Sequence, residues 1–155
     1  MPAQKLKEFL DSQGVKYLCV SHSAAYTAQE IAASAHIPGK DLAKTVIVNL
    51  DGALAMAVLP SSHGVDFDLL KDAARATKAT LAREDDFRDR FPGCEVGAMP
   101  PFGNLYDMPV YVDKALSEDE EIAFNAGSHK ELIKLAYRDF ENLVEPKMAK
   151  FAKKI

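Results

Sequence analysis

The chain has few cysteines, and it lacks any hydrophobic run long enough to cross a membrane. Its two cysteines, Cys19 and Cys94, lie far apart in 155 residues, which argues against a disulfide framework or a redox motif. No apolar run approaches the roughly 18–20 residues that a membrane span requires, and the N-terminus does not resemble a signal peptide. We therefore expect a cytoplasmic protein with no membrane partner.

The chain also lacks an excess of basic residues, because its net charge is −4. Broad, non-specific nucleic-acid binding requires a strongly basic face, so this class of function is disfavoured. A local basic patch remains compatible with the composition. The apolar fraction of 48% and the charged fraction of 27% are those of an ordinary globular protein.

Several catalytic motifs are absent from the sequence. It contains no Gly-x-Ser-x-Gly nucleophile elbow and no glycine-rich phosphate loop. We interpret the polar run at residues 61–63 as a loop, because adjacency in sequence is not triad geometry. The histidines lack the spacing of a zinc site; they are His22, His36, His63 and His129. We expect no metal and no cofactor.

The apolar pattern predicts helices interspersed with strands. Helices are expected at residues 2–12, 27–35, 65–76, 84–91 and 139–144, and strands at 17–20, 45–50, 53–59, 80–82, 109–113 and 121–125. Residues 132–137 fit either a strand or a helix, and residues 147–155 form a short amphipathic tail. Asp51-Gly52 is a strong hairpin signal. A hairpin cannot belong to a purely parallel sheet, so we predict one α/β domain with a mixed sheet over residues 1–155.

Residues 97–103 contain two adjacent prolines, Pro100 and Pro101, with glycines at both ends. Proline fixes its own φ and donates no N–H, so the segment predicts a stiff loop outside any strand ladder. Glycine permits sharp reversals and close approach of a ligand to the main chain. Such a loop suits recognition of a small molecule. The alternative is a tight connection between two strands.

Two further segments carry candidate chemistry. Lys44 lies at the entrance of the strongest strand, where its ammonium group can hold a carbonyl, carboxylate or phosphate, and Thr45 offers a hydroxyl beside it. The alternative is a solvated strand end. Residues 125–129 place Asn125, Ser128 and His129 around a glycine at the end of an apolar strand. The alternative there is an ordinary turn, with His129 more often structural than catalytic.

Taken in order, residues 44–46, 97–103 and 124–129 resemble the YbaK/ProX family of aminoacyl-tRNA deacylases and prolyl-tRNA synthetase-associated editing domains. Residues 22–32 are similar to an early segment of that family. The resemblance extends over roughly residues 6–143 of the chain. It suggests a free-standing member, because the sequence contains no synthetase body.

The resemblance implies a barrel-like mixed β-sheet surrounded by helices, and hydrolysis of the ester between a wrong amino acid and the terminal adenosine of a tRNA. Lys44 matches the family's essential lysine, and Gly97 with Pro101 matches its Gly-x-x-x-Pro loop. Gly127 and His129 match its Gly-x-His segment. The implied catalytic residues are Lys44 and Gly97. The implied substrate contacts are Tyr26, Thr45, Met99, Pro100, Pro101, Phe102, Gly103, Asn125, Gly127, Ser128 and His129.

No side-chain nucleophile is evident, so we expect attack by water or help from the substrate's own ribose hydroxyl. Ser128-His129-Lys130 differs from the basic, glycine-rich stretch of the family's cysteine-specific branch. This difference favours a small amino acid, with alanine first and serine or threonine next. The expected partner is a mischarged tRNA, and an aminoacyl-tRNA synthetase is a second candidate. Two other functions remain open: a non-catalytic module that binds an amino acid, a nucleotide or a synthetase, and an esterase for small acyl esters.

Contact with tRNA should be local because the chain is acidic overall. The candidate basic residues are Lys40, Lys71, Arg75, Lys78, Lys130, Lys134 and Arg138. For most of them the alternative is ordinary solvated surface.

Overall fold

The structure is a computed structural model that describes residues 2–21, 41–95 and 97–154. The helices are α1 (Pro2–Ser12), α2 (Phe67–Ala74), α3 (Glu84–Phe87), α4 (Lys114–Ser117) and α5 (Tyr137–Val144). The strands are β1 (Tyr17–Ser21), β2 (Ala43–Leu50), β3 (Ala53–Pro60), β4 (His63–Val65), β5 (Ala79–Leu81), β6 (Val110–Asp113), β7 (Glu121–Asn125), β8 (Glu131–Ala136), β9 (Lys147–Ala149) and β10 (Ala152–Lys154). The helix expected at residues 27–35 and the candidates Tyr26 and Lys40 lie outside the described residues.

The largest sheet has five strands in the order β5-β2-β3-β6-β9. Its first two ladders are antiparallel, whereas β3–β6 and β6–β9 are parallel. The hairpin forms where Asp51-Gly52 predicts it, because both residues adopt the positive φ that a tight hairpin turn requires (54° and 92°). The prediction of a mixed α/β fold is therefore confirmed.

A second sheet has three strands in the order β1-β8-β7. It meets the first where Leu42, just before β2, forms a parallel bridge to Ala123 of β7. The ladders of the described residues form no closed barrel, so the barrel-like expectation is corrected to open sheets linked at this bridge.

The main core lies between the two sheets, α1 and α5. Phe102 is fully buried at its centre, with ring centroids 6.2 Å from Phe9, 5.5 Å from Phe124 and 5.7 Å from Phe140. A second core packs beneath α2, on the other face of the five-stranded sheet. Because side chains alternate along a strand, β2 supplies Ile47 to the main core and Val48 to the second core.

The C-terminal tail forms β9 and β10, each with three residues. The expected amphipathic tail, with Met148 and Phe151 on one apolar face, is wrong. Phe151 is fully buried, whereas Met148 is 49% exposed. β9 extends the large sheet, and β10 pairs with β4, which the sequence pattern does not indicate. The strands are too short to show a period, so their pairing depends on contacts distant in sequence.

Asp113, at the end of β6, fixes this tail. Its side chain is buried, and its Oδ1 accepts hydrogen bonds from the backbone N–H groups of Phe151 and Ala152, each at 2.9 Å. Its Oδ2 accepts from Ala115 N–H at 3.0 Å and thereby caps α4.

We predict that Asp113→Ala lowers the free energy of unfolding by about 3 kcal/mol, because it leaves one buried and two partly buried N–H groups without an acceptor. Urea denaturation followed by circular dichroism measures this change. The exposed Asp72→Ala, in α2, serves as the control and should change the value by less than about 0.5 kcal/mol. Equal effects of the two substitutions would contradict the role given to Asp113.

Candidate functional site

The candidate site begins with Lys44 on β2. Leu42 forms an isolated parallel bridge to Ala123 of β7. Lys44 lies two residues after Leu42, and Asn125 lies two residues after Ala123 and two residues before Gly127. The bridge therefore brings the start of β2 to the strand that leads into the Gly127 turn.

Burial dominates the environment of the Lys44 ammonium group. The residue is partly buried, and this burial lowers the pKa of its side chain below the usual lysine value. Within the described residues no carboxylate lies at ion-pair distance from Lys44 Nζ. An ammonium group without a carboxylate partner is available to an oxygen of a ligand.

Thr45 points away from Lys44, toward the main core, because successive strand residues face opposite sides. Its side chain is 8% exposed, and its Oγ1 finds no hydrogen-bond partner among the described residues. The structure therefore does not place the Thr45 hydroxyl beside the Lys44 ammonium group on one face of the sheet.

Backbone hydrogen bonds join the proline-containing loop to the turn after β7. Gly127 N–H donates to Ala98 O at 2.8 Å, and Glu95 N–H donates to Gly127 O at 2.8 Å. Gly97 and Gly127 have φ values of 86° and 97°, which favour glycine strongly over residues with a side chain. Two segments about thirty residues apart are thus held together at the end of β7.

The His129 ring packs against Gly97. A Cβ atom placed on Gly97 would lie 3.6 Å from His129 Cε1 and 3.7 Å from Nε2, within ordinary van der Waals contact. The positive φ of Gly97 is therefore the stronger constraint on its identity. The contact therefore places the imidazole next to the proline-containing loop.

The loop itself is largely buried. Met99, Pro100 and Pro101 are buried, and within the described residues neither Gly97 N–H nor Met99 N–H donates to an acceptor. The prolines have no N–H to place. The main-chain donors of this stiff loop that bind no acceptor among the described residues include those of Gly97 and Met99.

Phe102 and Gly103 support the loop from beneath. The Phe102 ring lies in the main core, and a Cβ on Gly103 would overlap the carbonyl oxygen of Met108 and lie 2.6 Å from Val110 Cγ2. Close packing alone therefore accounts for an aromatic residue and a glycine at these positions. Their role as substrate contacts stays a prediction.

Glu95 is part of the site, although nothing in the sequence singles it out. Its Oε1 accepts from Ser128 Oγ at 3.1 Å, and its Oε2 accepts from His129 N–H at 3.4 Å. An acidic residue two positions before a glycine is a common pattern. Only the fold reveals that it faces a turn more than thirty residues away.

The candidate basic residues are spread over the molecule. Lys130 lies in the turn after β7, next to the site. Lys78 lies by the hairpin turn at the far end of β2, where Asp51 accepts its backbone N–H at 2.8 Å. Lys134 Nζ is 3.7 Å from a carboxylate oxygen of Glu121, and Arg138 lies at the far end of β8.

A separate cavity of about 640 Å³ opens near that far end of β7 and β8. Its polar lining is mostly acidic, with Arg138 as the basic residue; the lining comprises Ser117, Asp119, Glu120, Ala136, Tyr137, Arg138, Asp139 and Glu141. Burial, with a smaller contribution from Glu141, raises the pKa of the Tyr137 hydroxyl above its usual value. This acidic end disfavours a nucleic-acid backbone.

Metal and membrane chemistry find no support in the part of the chain that the structure describes. No group of three or more His, Cys, Asp or Glu side chains there is arranged to hold a metal ion. None of the helices there is long and apolar enough to span a bilayer.

Comparison with known proteins adds sequence relatives to this geometry. Residues 22–143 match the model of a family described as the aminoacyl-tRNA editing domain. The chain is 27% identical to the multifunctional Ser/Thr-tRNA deacylase ProXp-y of Escherichia coli K12, over 96% of this chain and 91% of that protein.

Solved structures share the fold at lower sequence identity. A protein described as a candidate trans-editing enzyme for prolyl tRNA synthetase superposes with a TM-score of 0.84 at 17% identity, over 98% of this chain and 97% of that one. The hypothetical protein APE2540 also gives 0.84, at 20% identity, over 96% and 99% of the two chains. At these identities the superpositions show that the fold is shared.

We predict that Lys44 loses its proton at a lower pH in the folded chain than in the urea-unfolded chain. Because burial disfavours the ammonium form, this contribution to folding becomes more favourable as the pH rises through the lowered pKa. NMR titration of the Lys44 Cε signal, assigned by comparison with Lys44→Arg, measures both values. A folded value equal to or above the unfolded one would contradict the assigned environment.

Proposed function

The chain belongs to the aminoacyl-tRNA editing domain family, and from that premise we propose that it is a trans-editing hydrolase acting on mischarged tRNA. It cleaves the ester that joins an incorrect amino acid to the terminal adenosine. The membership rests on the family match over residues 22–143. The ProXp-y relative, described as a tRNA deacylase, aligns over nearly its whole length and supports the same reaction.

One structural observation carries the proposal for the site. The Gly97 loop and the Gly127–His129 turn are joined after β7 by the hydrogen bond from Gly127 to Ala98, and Leu42, two residues before Lys44, bridges to Ala123 of the same strand. These contacts support a single site that includes Lys44. A lysine ammonium group and stiffly held backbone donors are the groups that an aminoacyl ester requires.

In the proposed mechanism the Gly97 and Met99 N–H groups face the ester carbonyl oxygen. Negative charge develops on this oxygen when the carbonyl carbon is attacked, and a fixed donor contributes roughly 3–4 kcal/mol to its stabilisation. The prolines that follow keep the loop stiff, so the donors need little reorganisation during the reaction. Asn125 completes the polar wall beside Lys44.

Lys44 acts as a point charge rather than as a nucleophile. Its ammonium group holds the ester carbonyl or the phosphate of the terminal adenosine. Water, assisted by the neighbouring ribose hydroxyl, attacks the carbonyl carbon. The carbon–oxygen bond to the ribose then breaks, the proton lost by the water passes to the departing ribose oxygen, and the amino acid leaves with a free carboxyl group. Correct positioning of the ester supplies much of the acceleration.

For the amino acid we propose serine and threonine, with alanine as a further substrate. The relative's description as a Ser/Thr-tRNA deacylase raises serine and threonine above alanine, which the sequence pattern placed first. The packing of His129 against Gly97 narrows this end of the site and favours small side chains. A single methylene is worth only about 1–3 kcal/mol, so discrimination among small amino acids should be incomplete.

The acceptor end of tRNA approaches from the end of the molecule that carries Lys44 and Lys130. The acidic cavity at the opposite end, which includes Asp139 and Glu141, repels phosphate and helps to orient the RNA. Such a substrate places the protein in the cytoplasm with the translation apparatus. An aminoacyl-tRNA synthetase is a further proposed partner, as a source of mischarged tRNA.

We predict that Lys44→Ala lowers the deacylation rate of seryl-tRNA by at least about 100-fold, because the charge that holds the ester is lost. Single-turnover release of labelled serine measures the rate, and circular dichroism checks the fold. Lys78→Ala, at the far end of β2, is the matched control and should stay within about twofold of the native rate. Full activity of the Lys44 variant would remove Lys44 from the mechanism.

We predict faster turnover of seryl- and threonyl-tRNA than of alanyl-tRNA, and slow turnover of cysteinyl-tRNA. A panel of the four charged tRNAs at equal concentration, assayed for released amino acid, tests this order. A preference for cysteinyl-tRNA would overturn the substrate assignment. Binding of charged tRNA without release of amino acid would favour a non-catalytic binding module, and equal turnover of simple aminoacyl esters would favour a general esterase.

A further inference from the structure

We propose that Glu95 is a positioning residue that holds the Gly127–Ser128–His129 turn against the Gly97 loop. This inference rests on the proposed function, because the two segments that Glu95 joins are the walls of the proposed aminoacyl site. Glu95 does not reach the ester itself. It acts through Ser128 and His129.

The contacts of Glu95 form a closed set around the turn. The carboxylate accepts from Ser128 Oγ at 3.1 Å and from His129 N–H at 3.4 Å, while the Glu95 N–H donates to Gly127 O at 2.8 Å. The Glu95 carbonyl oxygen accepts from Ala98 N–H at 3.1 Å. Glu95 thus contacts the turn with both its main chain and its side chain, and it contacts the loop with its main chain.

Ser128 connects Glu95 to the rest of the turn through two hydrogen bonds. Its hydroxyl donates to the carboxylate and accepts from Lys130 N–H at 3.0 Å. A hydroxyl has a single proton to donate, so Ser128 has no donor left for a substrate. This arrangement makes Ser128 a support of the turn and leaves Lys130 oriented beside the site.

His129 is the group whose placement matters for the reaction. Its backbone N–H is held by Glu95, and its ring contacts Gly97. Removal of the carboxylate removes the hydrogen bond to the His129 N–H, and with it one constraint on the position of the ring. A displacement of about 1 Å in such a wall reduces rates by up to about 100-fold.

The position of Glu95 also argues against a role limited to stability. Glu95 is exposed, and a hydrogen bond at an exposed site contributes little net free energy because water competes for both partners. Its removal should therefore alter the geometry of the turn more than the stability of the fold. Glu131 lies on the neighbouring strand β8, and its carboxylate binds Lys7 of α1 at 3.2 Å. It therefore offers a matched comparison.

The first test compares deacylation by Glu95→Ala, Glu95→Gln and Glu131→Gln. We expect Glu95→Ala to lower kcat by about 10-fold or more with KM for tRNA within about threefold, since the Glu95 carboxylate itself binds no RNA in the proposed site. Glu95→Gln keeps one acceptor oxygen and should recover most of the activity. Glu131→Gln should match the native enzyme. A native kcat for Glu95→Ala, or equal losses in the Glu95→Ala and Glu131→Gln variants, would overturn the proposal.

A double-mutant cycle tests whether Glu95 acts through Ser128. If it does, Glu95→Ala combined with Ser128→Ala should lose no more than about the larger single loss, whereas independent residues would multiply their losses. If the activity losses of the two single variants multiply in the double variant, the proposal that Glu95 acts through Ser128 is overturned. If Glu95→Ala does not fold, the same cycle with Glu95→Asp, whose side chain is one methylene shorter, decides the matter.

Amide hydrogen exchange, measured by NMR without substrate, separates this inference from the proposed function. We expect Glu95→Ala to speed exchange at His129 and Lys130 by about tenfold, with no change in the Glu131→Gln variant. Unchanged exchange would overturn the inference even in an active enzyme. If the native protein hydrolyses no charged tRNA, the proposed function fails, and the exchange result alone decides whether Glu95 fixes the turn.

Discussion

The site depends on the pair of backbone hydrogen bonds that holds the turn after β7 against residues 95–98. Both bonds are 2.8 Å long and involve Gly127, as donor to Ala98 and as acceptor from Glu95. Their geometry requires the positive φ of Gly127 and Gly97, which non-glycine residues rarely adopt. The two glycines are therefore needed first for the close approach of two chain segments. Any contact with a substrate follows from that approach.

The sheets supply the second constraint, which is the position of Lys44 relative to this junction. The parallel bridge from Leu42 to Ala123 links the strands that carry the lysine and the turn. Beneath them, Phe102 packs against Phe124 and Phe140 and anchors the loop to the same strand that leads into Gly127. A buried aromatic cluster therefore sets the spacing of an exposed polar site. The chain belongs to a family of aminoacyl-tRNA editing domains, and we propose that this spacing matches an aminoacyl ester.

Local sequence signals predicted the elements that local chemistry determines. Asp51-Gly52 specifies its own turn, and the apolar run of β2 specifies a strand. The tail could not be predicted in this way, since β9 and β10 are held by pairing with β6 and β4 and by the hydrogen bonds from residues 151 and 152 to Asp113, all of them distant in sequence. Lys44 and Gly97 were found through residue type and family resemblance. Glu95 was missed, because its partners in the turn lie more than thirty residues away and no local pattern announces them.

The central claim is that one aminoacyl ester contacts both Lys44 and the Gly97 loop. A crystal structure with a non-hydrolysable seryl-amide analogue of the terminal adenosine tests it most directly. The account predicts the analogue's carbonyl oxygen about 3 Å from the Gly97 or Met99 nitrogen, with the Lys44 ammonium group within hydrogen-bond reach of the carbonyl or phosphate. An analogue bound with its carbonyl away from both Lys44 and the loop, for example in the acidic cavity beside Tyr137, would contradict it.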